Sequence, residues 1–273
     1  MGEPSNRDNR VGRVLLSVGW QVWKRTVRLP IVLTLDNGMS FIAEPMSGNS
    51  TGAIYTRIYE SIYTEFVRKW VVPGGVLCDV GAHVGLFTLL IAPLFRSGFC
   101  FEPAPDTFRL LKRNLALNGL TAFEPRQEAV SSEGGARTLA AEGAYSGGAR
   151  LTQSGESVSA TVRTLAVKAV RLDDVVPHDR ELTFLKVDVE GHEPDVLAGA
   201  QGTLRRSPRG LVMFEQNPGQ ALRAVAILRE IGWRSFLIDS TGRPTSSLRE
   251  IHSAYNVFAC GPEHPLAVEL AGE

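Results

Sequence analysis

The sequence predicts a doubly wound α/β fold built on a mostly parallel, seven-stranded sheet. Three observations carry that reading. Short apolar runs alternate with helical patterns between residues 76 and 231. A glycine-bearing turn, Asp79-Val80-Gly81-Ala82-His83-Val84-Gly85, follows the first of those runs. Two last apolar runs, residues 233–238 and 255–260, have no helical pattern between them. Alternation of strand and helix requires crossover connections, hence parallel strands with helices on both faces. A final pair without a crossover predicts an antiparallel last strand.

Composition fits that fold and excludes others. The 273 residues suit one large domain, and 44% hydrophobic with 21% charged residues are ordinary globular values. Basic and acidic residues number 29 each, so the formal net charge is zero. No global field then attracts a nucleic acid or an anionic membrane, and neither is an expected partner. Three scattered cysteines, Cys78, Cys100 and Cys260, form neither a disulfide framework nor a zinc cage. A reducing, cytoplasmic location is the expectation. No signal-peptide core is visible, and the longest N-terminal apolar stretch, residues 14–23, is about half a membrane span. Stable membrane insertion is therefore not expected.

The elements follow in order. Residues 11–28 read as a short helix carrying Trp20 and Trp23 among Arg13, Lys24, Arg25 and Arg28. Such a helix either packs on the body of the domain, the commoner case, or lies over a membrane surface or lipid-like acceptor. Two runs, 31–35 and 39–43, flank Asp36-Asn37-Gly38 and predict a hairpin. Residues 53–70 have apolar positions at helical spacing, stopped by Pro73-Gly74-Gly75. Strands are then expected at 76–80, 98–102, near 123–130, at 183–187 and at 211–214. Helices are expected at 86–95, 106–118, 193–204 and 220–231. The organisation predicted is an N-terminal extension over 1–52 and a main domain over 53–273. An insertion rich in Gly, Ser, Ala and Thr spans 131–169 on the substrate side. It reads equally as a substrate-covering loop or a surface excursion, with a short strand near 161–167.

The glycine turn after the first strand lets the backbone approach a ligand. Glu102, at the end of the second strand and 23 positions after Asp79, is placed to accept hydrogen bonds from ribose hydroxyls. Together they predict an adenosine-containing cofactor. A dinucleotide fingerprint wants G-x-G-x-x-G, whereas this turn is Gly81-x-x-x-Gly85 with Asp79 two residues ahead. A carboxylate there repels a pyrophosphate but suits an ammonium. The spacing favours S-adenosylmethionine, with S-adenosylhomocysteine as product, over NAD.

These residues belong to a longer ordered set. It comprises Tyr59-Glu60, Pro73-Gly74, the 79–85 turn, Phe101-Glu102-Pro103, Asn114-Leu115-Ala116-Leu117-Asn118-Gly119, Glu128-Ala129-Val130-Ser131 and Leu172-Asp173-Asp174. The most diagnostic stretch is Leu185-Lys186-Val187-Asp188-Val189-Glu190-Gly191-His192-Glu193, followed by Val196-Leu197-Ala198-Gly199-Ala200. From about residue 59 to 262 the chain resembles the FkbM family of S-adenosylmethionine-dependent methyltransferases. His83 stands where that family commonly has Asn. The resemblance implies a class I methyltransferase fold and a hydroxyl acceptor on a sugar, polyketide or related metabolite.

Methyl transfer to an alcohol needs alignment and a base. The 186–193 stretch supplies the titratable groups. Asp188 is expected near the methionine end of the donor, with Glu190 or His192 as base. Lys186 is expected as an ion-pair partner of Asp188 or Glu190. The cofactor set is completed by Gly81, His83 and Gly85, by Glu128 and Ala129 beside the adenine, and by Glu60 bracing the pocket. Asp188, Glu215 and Asn217 form a candidate oxygen-ligand set for Mg2+, which would lower the pKa of a bound hydroxyl. Two other functions were open: an NAD-type oxidoreductase, and a non-catalytic cofactor-binding partner subunit. The expected partner is a small hydroxylated acceptor, and a homo-oligomer is compatible with the sequence.

Overall fold

The computed structural model describes residues 10–45, 47, 50, 61–143, 145, 147–152, 156, 158–217 and 219–271. Helix α1 (Arg10–Thr26) leads into the hairpin β1 (Ile31–Thr34) and β2 (Ser40–Ala43), antiparallel as the Asn37-Gly38 turn predicts. Helix α2 (Ser61–Trp70) is the described part of the helix expected over 53–70; its first half and Glu60 lie outside the described residues. The alternating core follows: β3 (Gly75–Val80), α3 (Leu86–Ile91), β4 (Phe95–Phe101), α4 (Pro105–Leu117) and β5 (Phe123–Arg126). After an inserted small sheet come α5 (Leu172–Val175), β10 (Phe184–Val187), α6 (Glu193–Ala198), α7 (Gln201–Arg205), β11 (Leu211–Glu215) and α8 (Ala221–Glu230). The chain finishes with β12 (Arg234–Ile238), β13 (Pro244–Thr245), β14 (Asn256–Cys260) and α9 (Pro265–Glu269).

The main sheet runs β13-β12-β14-β11-β10-β3-β4-β5. Strands β5, β4, β3, β10 and β11 pair in parallel, and β14 is antiparallel to both β11 and β12. This is the doubly wound arrangement with a reversed last strand that the sequence predicts, with the two-residue β13 added at one edge. Buried side chains alternate between two cores, because neighbours on a strand face opposite ways. Leu77, Cys100, Phe184, Met213 and Phe258 face α2, α3, α4, α9 and the hairpin. Cys78, Phe101, Leu185, Phe214 and Val257 face α5 to α8. Trp20 is only 3% exposed and belongs to the first core, so α1 packs on the body of the protein.

Two asparagines bind the hairpin to α4. Asn118 accepts from Ser40 N at 2.7 Å and donates to Ser40 O at 2.7 Å. Asn114 accepts from Ile42 N at 2.8 Å and donates to Val84 O at 2.8 Å. An amide side chain carries the same donor and acceptor as a peptide, so the pair extends the ladder of β2 onto a helix.

Three boundaries differ from expectation. The helix expected over 86–95 stops at Ile91, and Pro93 sits in the tight turn that leads into β4. The third strand expected near 123–130 is two strands. Strand β5 is an edge, where Pro125 is tolerated, and β6 (Ala129–Val130) leaves it to pair with β9 (Arg163–Val170). The helix expected over 193–204 breaks into α6 and α7 at Gly199.

The insertion is a second sheet in the order β6-β9-β7-β8, with β7 at Gly135–Ala141 and β8 at Arg150–Leu151. Ala104, Ala129, Leu139, Leu151 and Ala169 give it a small core of its own. It is fastened to the main body where Gly199 meets Ser131: a Cβ at 199 would lie 2.1 Å from the Ser131 carbonyl oxygen. Gly199→Ala must push the two apart, an overpacking cost of about 1–3 kcal/mol. The expected readout is a lower urea midpoint at unchanged slope; an unchanged midpoint would mean the contact yields without cost.

Candidate active site

The parallel strands deliver their carboxyl ends to one rim, where open α/β sheets place ligands. There β3 contributes Asp79 and the glycine turn, β4 contributes Glu102, β10 leads to Asp188, and β11 ends at Glu215. The turn is bound down by Gly81 N and Ala82 N, which donate to Phe101 O at 3.0 and 2.9 Å. Gly81 has φ +78°, and a Cβ there would lie 1.8 Å from the Asp188 carbonyl oxygen. The ends of β3 and β10 therefore touch through a missing side chain.

Asp79 is fully buried and lies behind the cavity wall, not on it. Its carboxylate, expected against a ligand's ammonium, has other partners in the fold. Thr88 Oγ1 donates to Oδ2, and Lys186 Nζ lies 3.8 Å from Oδ1. Burial raises the Asp79 pKa, with Lys186 and Thr88 working against it. Lys186 is itself buried, with Nζ 2.8 Å from Asp188 Oδ2 and 5.3 Å from the centre of the Phe87 ring. One ammonium thus stands between a carboxylate inside the fold and one at the rim.

A cavity of about 220 Å3 opens over this floor, and Gly81, His83, Glu102, Glu128, Asp188 and Glu190 are in its wall. Glu102 accepts from His83 N at 3.0 Å and from Ala104 N at 2.8 Å. Burial nonetheless pushes its pKa up to about 7. Glu128 joins Ala129 in the wall; burial works upward on its pKa, but Lys168 and Arg126, at 2.6 and 2.7 Å, together hold it below the usual range. His83 sits at φ +50°, and burial lowers its pKa to about 4 against a hydrogen bond with the Tyr145 backbone. Gly147, Ala149, Arg150 and Leu151, from the inserted sheet and the turn before β8, form the roof. Gly85 ends the turn as the residue before α3.

The other end of the cavity is acidic. Asp188, Glu190 and Glu215 bring carboxylate oxygens within 4.8 Å of one another. Glu190 is a non-glycine residue at φ +55°. Burial first, then Glu215 and Asp188, push its pKa up to about 7. Glu193 holds this loop in place: its Oε1 accepts from Gly191 N at 3.0 Å, Val189 N at 3.3 Å and Asn217 Nδ2 at 3.1 Å. Asn217 Nδ2 also donates to Glu215 Oε2 at 3.0 Å. Two members of the expected trio, Asp188 and Glu215, converge with Glu190, and the third, Asn217, braces Glu193 and Glu215 through its amide nitrogen. His192 lines the cavity next to Glu190, its Nε2 lying 2.9 Å from Ser131 Oγ; burial lowers its pKa.

Sequence reasoning missed two parts of the site. Thr88 was legible only as a lone polar residue in the apolar helix 86–91, and Glu193 only as an acid closing the 188–193 run. The roof comes from the 131–169 insertion expected on the substrate side, although no single residue of that stretch was singled out.

Residues 79–234 match the model of the Methyltransferase FkbM domain. The chain is 31% identical to 31-O-demethyl-FK506 methyltransferase FkbM of Streptomyces tacrolimicus, over 71% of this chain and 86% of that protein. It is 32% identical to hexuronic acid methyltransferase AglP of Haloferax volcanii, over 48% of this chain and 52% of that protein. The solved methyltransferase FkbM of Methylobacillus flagellatus superposes with a TM-score of 0.45 at 13% identity, over 92% of this chain and 60% of that one.

Removing one member of a buried ion group leaves the others uncompensated, at about 3–5 kcal/mol. Lys186→Met is expected to lose that much in urea unfolding, and adding Asp79→Asn should recover a large part. Simple addition of the two losses would show that the two side chains are not coupled.

Proposed function

The chain belongs to the FkbM methyltransferase family, and on that premise we propose that it transfers a methyl group from S-adenosylmethionine to a neutral hydroxyl of a small molecule, a sugar or a secondary metabolite. One observation carries the reading: a single cavity has a buried ribose-type acceptor, Glu102, in one wall and a carboxylate poised near neutrality, Glu190, in another. The donor set fits the cofactor. Glu102 is pre-aligned by two backbone amides to accept ribose hydroxyls, and the Gly81 turn leaves room for the chain of the donor. Ala129 and Pro103 offer apolar walls to the adenine. Asp188, held by Lys186, offers a carboxylate to the methionine ammonium.

When bound, the donor supplies an electrophilic methyl group whose sulfur leaves with the bonding pair. Glu190 takes the proton of the attacking hydroxyl. Its raised pKa makes it a better base than an ordinary carboxylate while leaving it largely ionised above neutrality. His192 is the second candidate for this step. Asp188, Glu190 and Glu215 together favour a neutral acceptor over a carboxylate one, because an anionic acceptor would enter against their like charge. The nicotinamide reading gives way to the family. Methyl transfer assayed with and without magnesium is expected to proceed at the same rate; dependence on the ion would bring the Asp188, Glu190 and Glu215 group in as its ligands.

The first test is calorimetric titration with S-adenosylmethionine, S-adenosylhomocysteine and NAD, followed by methyl transfer to a panel of hydroxylated natural products. The two sulfur compounds should bind and NAD should not; the reverse would sink the cofactor assignment. Ribose hydroxyls donate to the ionised form of Glu102, so donor affinity should rise with pH up to about 7 and level off above it. A flat profile would remove Glu102 from the site. Glu190→Gln should lower kcat by about 10²–10⁴-fold and abolish the rise of kcat/KM through a pH of about 7. If His192→Gln does this and Glu190→Gln does not, the base is the histidine.

A further inference from the structure

The rim continues past Glu215 into a second, open cavity of about 760 Å3. It lies between α2, the β12–β13 edge and the start of β14, and none of the sequence signals points to it. Its position is tied to the first cavity by strand register. Glu215 on β11 pairs with Asn256 on β14, and side chains directly opposite each other on antiparallel strands share a face. Glu215 lines the first cavity and Asn256 the second. Gln216 N donates to Tyr255 O at 2.9 Å, which continues the pairing one residue further. The two cavities thus have wall residues on neighbouring strands, which lie about 5 Å apart.

The lining states what the groove can hold. Tyr255 is 81% exposed at its mouth, the most exposed large apolar side chain among the described residues. An aromatic ring of this kind offers a flat apolar face with a polar tip. Around it Arg249, Ser247 and Asn256 supply donors and acceptors, while Tyr63 lies deeper, against the Phe258 ring. The charges are mixed, Arg249 with Glu250 and Asp239, and the Asp239 carboxylate already accepts from Thr241 and Arg243 of its own turn. Mixed charge selects against a polyanion and against a strongly cationic peptide. A flat apolar face ringed by hydroxyl, amide and guanidinium groups matches a pyranose ring, with its C–H face and hydroxyl edge.

We propose that this groove is a binding subsite for a neutral glycosyl ring, the part of the acceptor remote from the hydroxyl presented to Glu190. The subsite rests on the methyltransferase reading above for its purpose, but its occupancy can be measured separately.

Saturation-transfer NMR on the full chain, with the methyl glycosides of glucose, galactose, mannose and rhamnose as probes, tests this. Each sample also carries a titration of S-adenosylhomocysteine. At least one glycoside should receive saturation, and Tyr255→Ala, a change at an exposed ring, should reduce it to background. Arg249→Ala should weaken it. Transfer to none of the four, or equal transfer in Tyr255→Ala, overturns the subsite. If S-adenosylhomocysteine binds while the glycosides do not, the subsite falls and the donor reading stands. If glycosides bind through Tyr255 while S-adenosylhomocysteine does not, the donor reading falls alone. Folding of Tyr255→Ala is checked by its unfolding midpoint.

Discussion

The ammonium of Lys186 between two carboxylates is the interaction on which the site depends. Taking Lys186 and Asp79 out of water is costly, and only close geometry offsets it. Asp79 below and Asp188 above share one cation, and Thr88 closes the group from α3. Strand β3, the helix after it and strand β10 are therefore fixed to one another at the point where the rim begins. Asp188 inherits its direction from that group. Glu190 and Glu215 gather around Asp188 at the rim, and the loop that follows it carries Glu190.

That loop shows how a carboxylate is held in an unfavourable state. Glu190 occupies the left-handed region, which costs a non-glycine residue on the order of 1–3 kcal/mol. Its neighbours Asp188 and Glu215 add like-charge repulsion. The opposing force is the Glu193 carboxylate, which gathers two backbone amides of the loop and the Asn217 side chain on one oxygen. An acid that appears from sequence to be one more member of a charged run is the bracket of the others. Burial pushes the Glu193 pKa up to about 7 as well, so the loop and its support titrate in the same range.

Much of this was legible in the residues. Alternating runs dictated the parallel sheet, the unconnected pair 233–238 and 255–260 dictated the reversed strand, and the 79–85 turn with Glu102 located the ligand end. What was hidden depends on facing and on distance along the chain. Asp79 and Val80 are adjacent on a strand buried on both faces, and spacing alone does not say which one looks into the cavity. The role of Asn114 and Asn118 requires knowing that residues near 40 pack on α4. The 131–169 insertion carries few large apolar residues, and its small core is largely alanine, so the alternation that would mark its strands is faint.

Gly81 and Gly199 draw these points together. Neither has a side chain to offer a ligand, yet each is a point at which two parts of the protein come too close for a Cβ. They act as spacers of zero thickness, one setting the gap between the first and fourth parallel strands, the other the seat of the inserted sheet. A side chain at Gly81 would shift the Asp188 end of β10 together with the acids gathered there, and one at Gly199 would shift the inserted sheet that roofs the cavity.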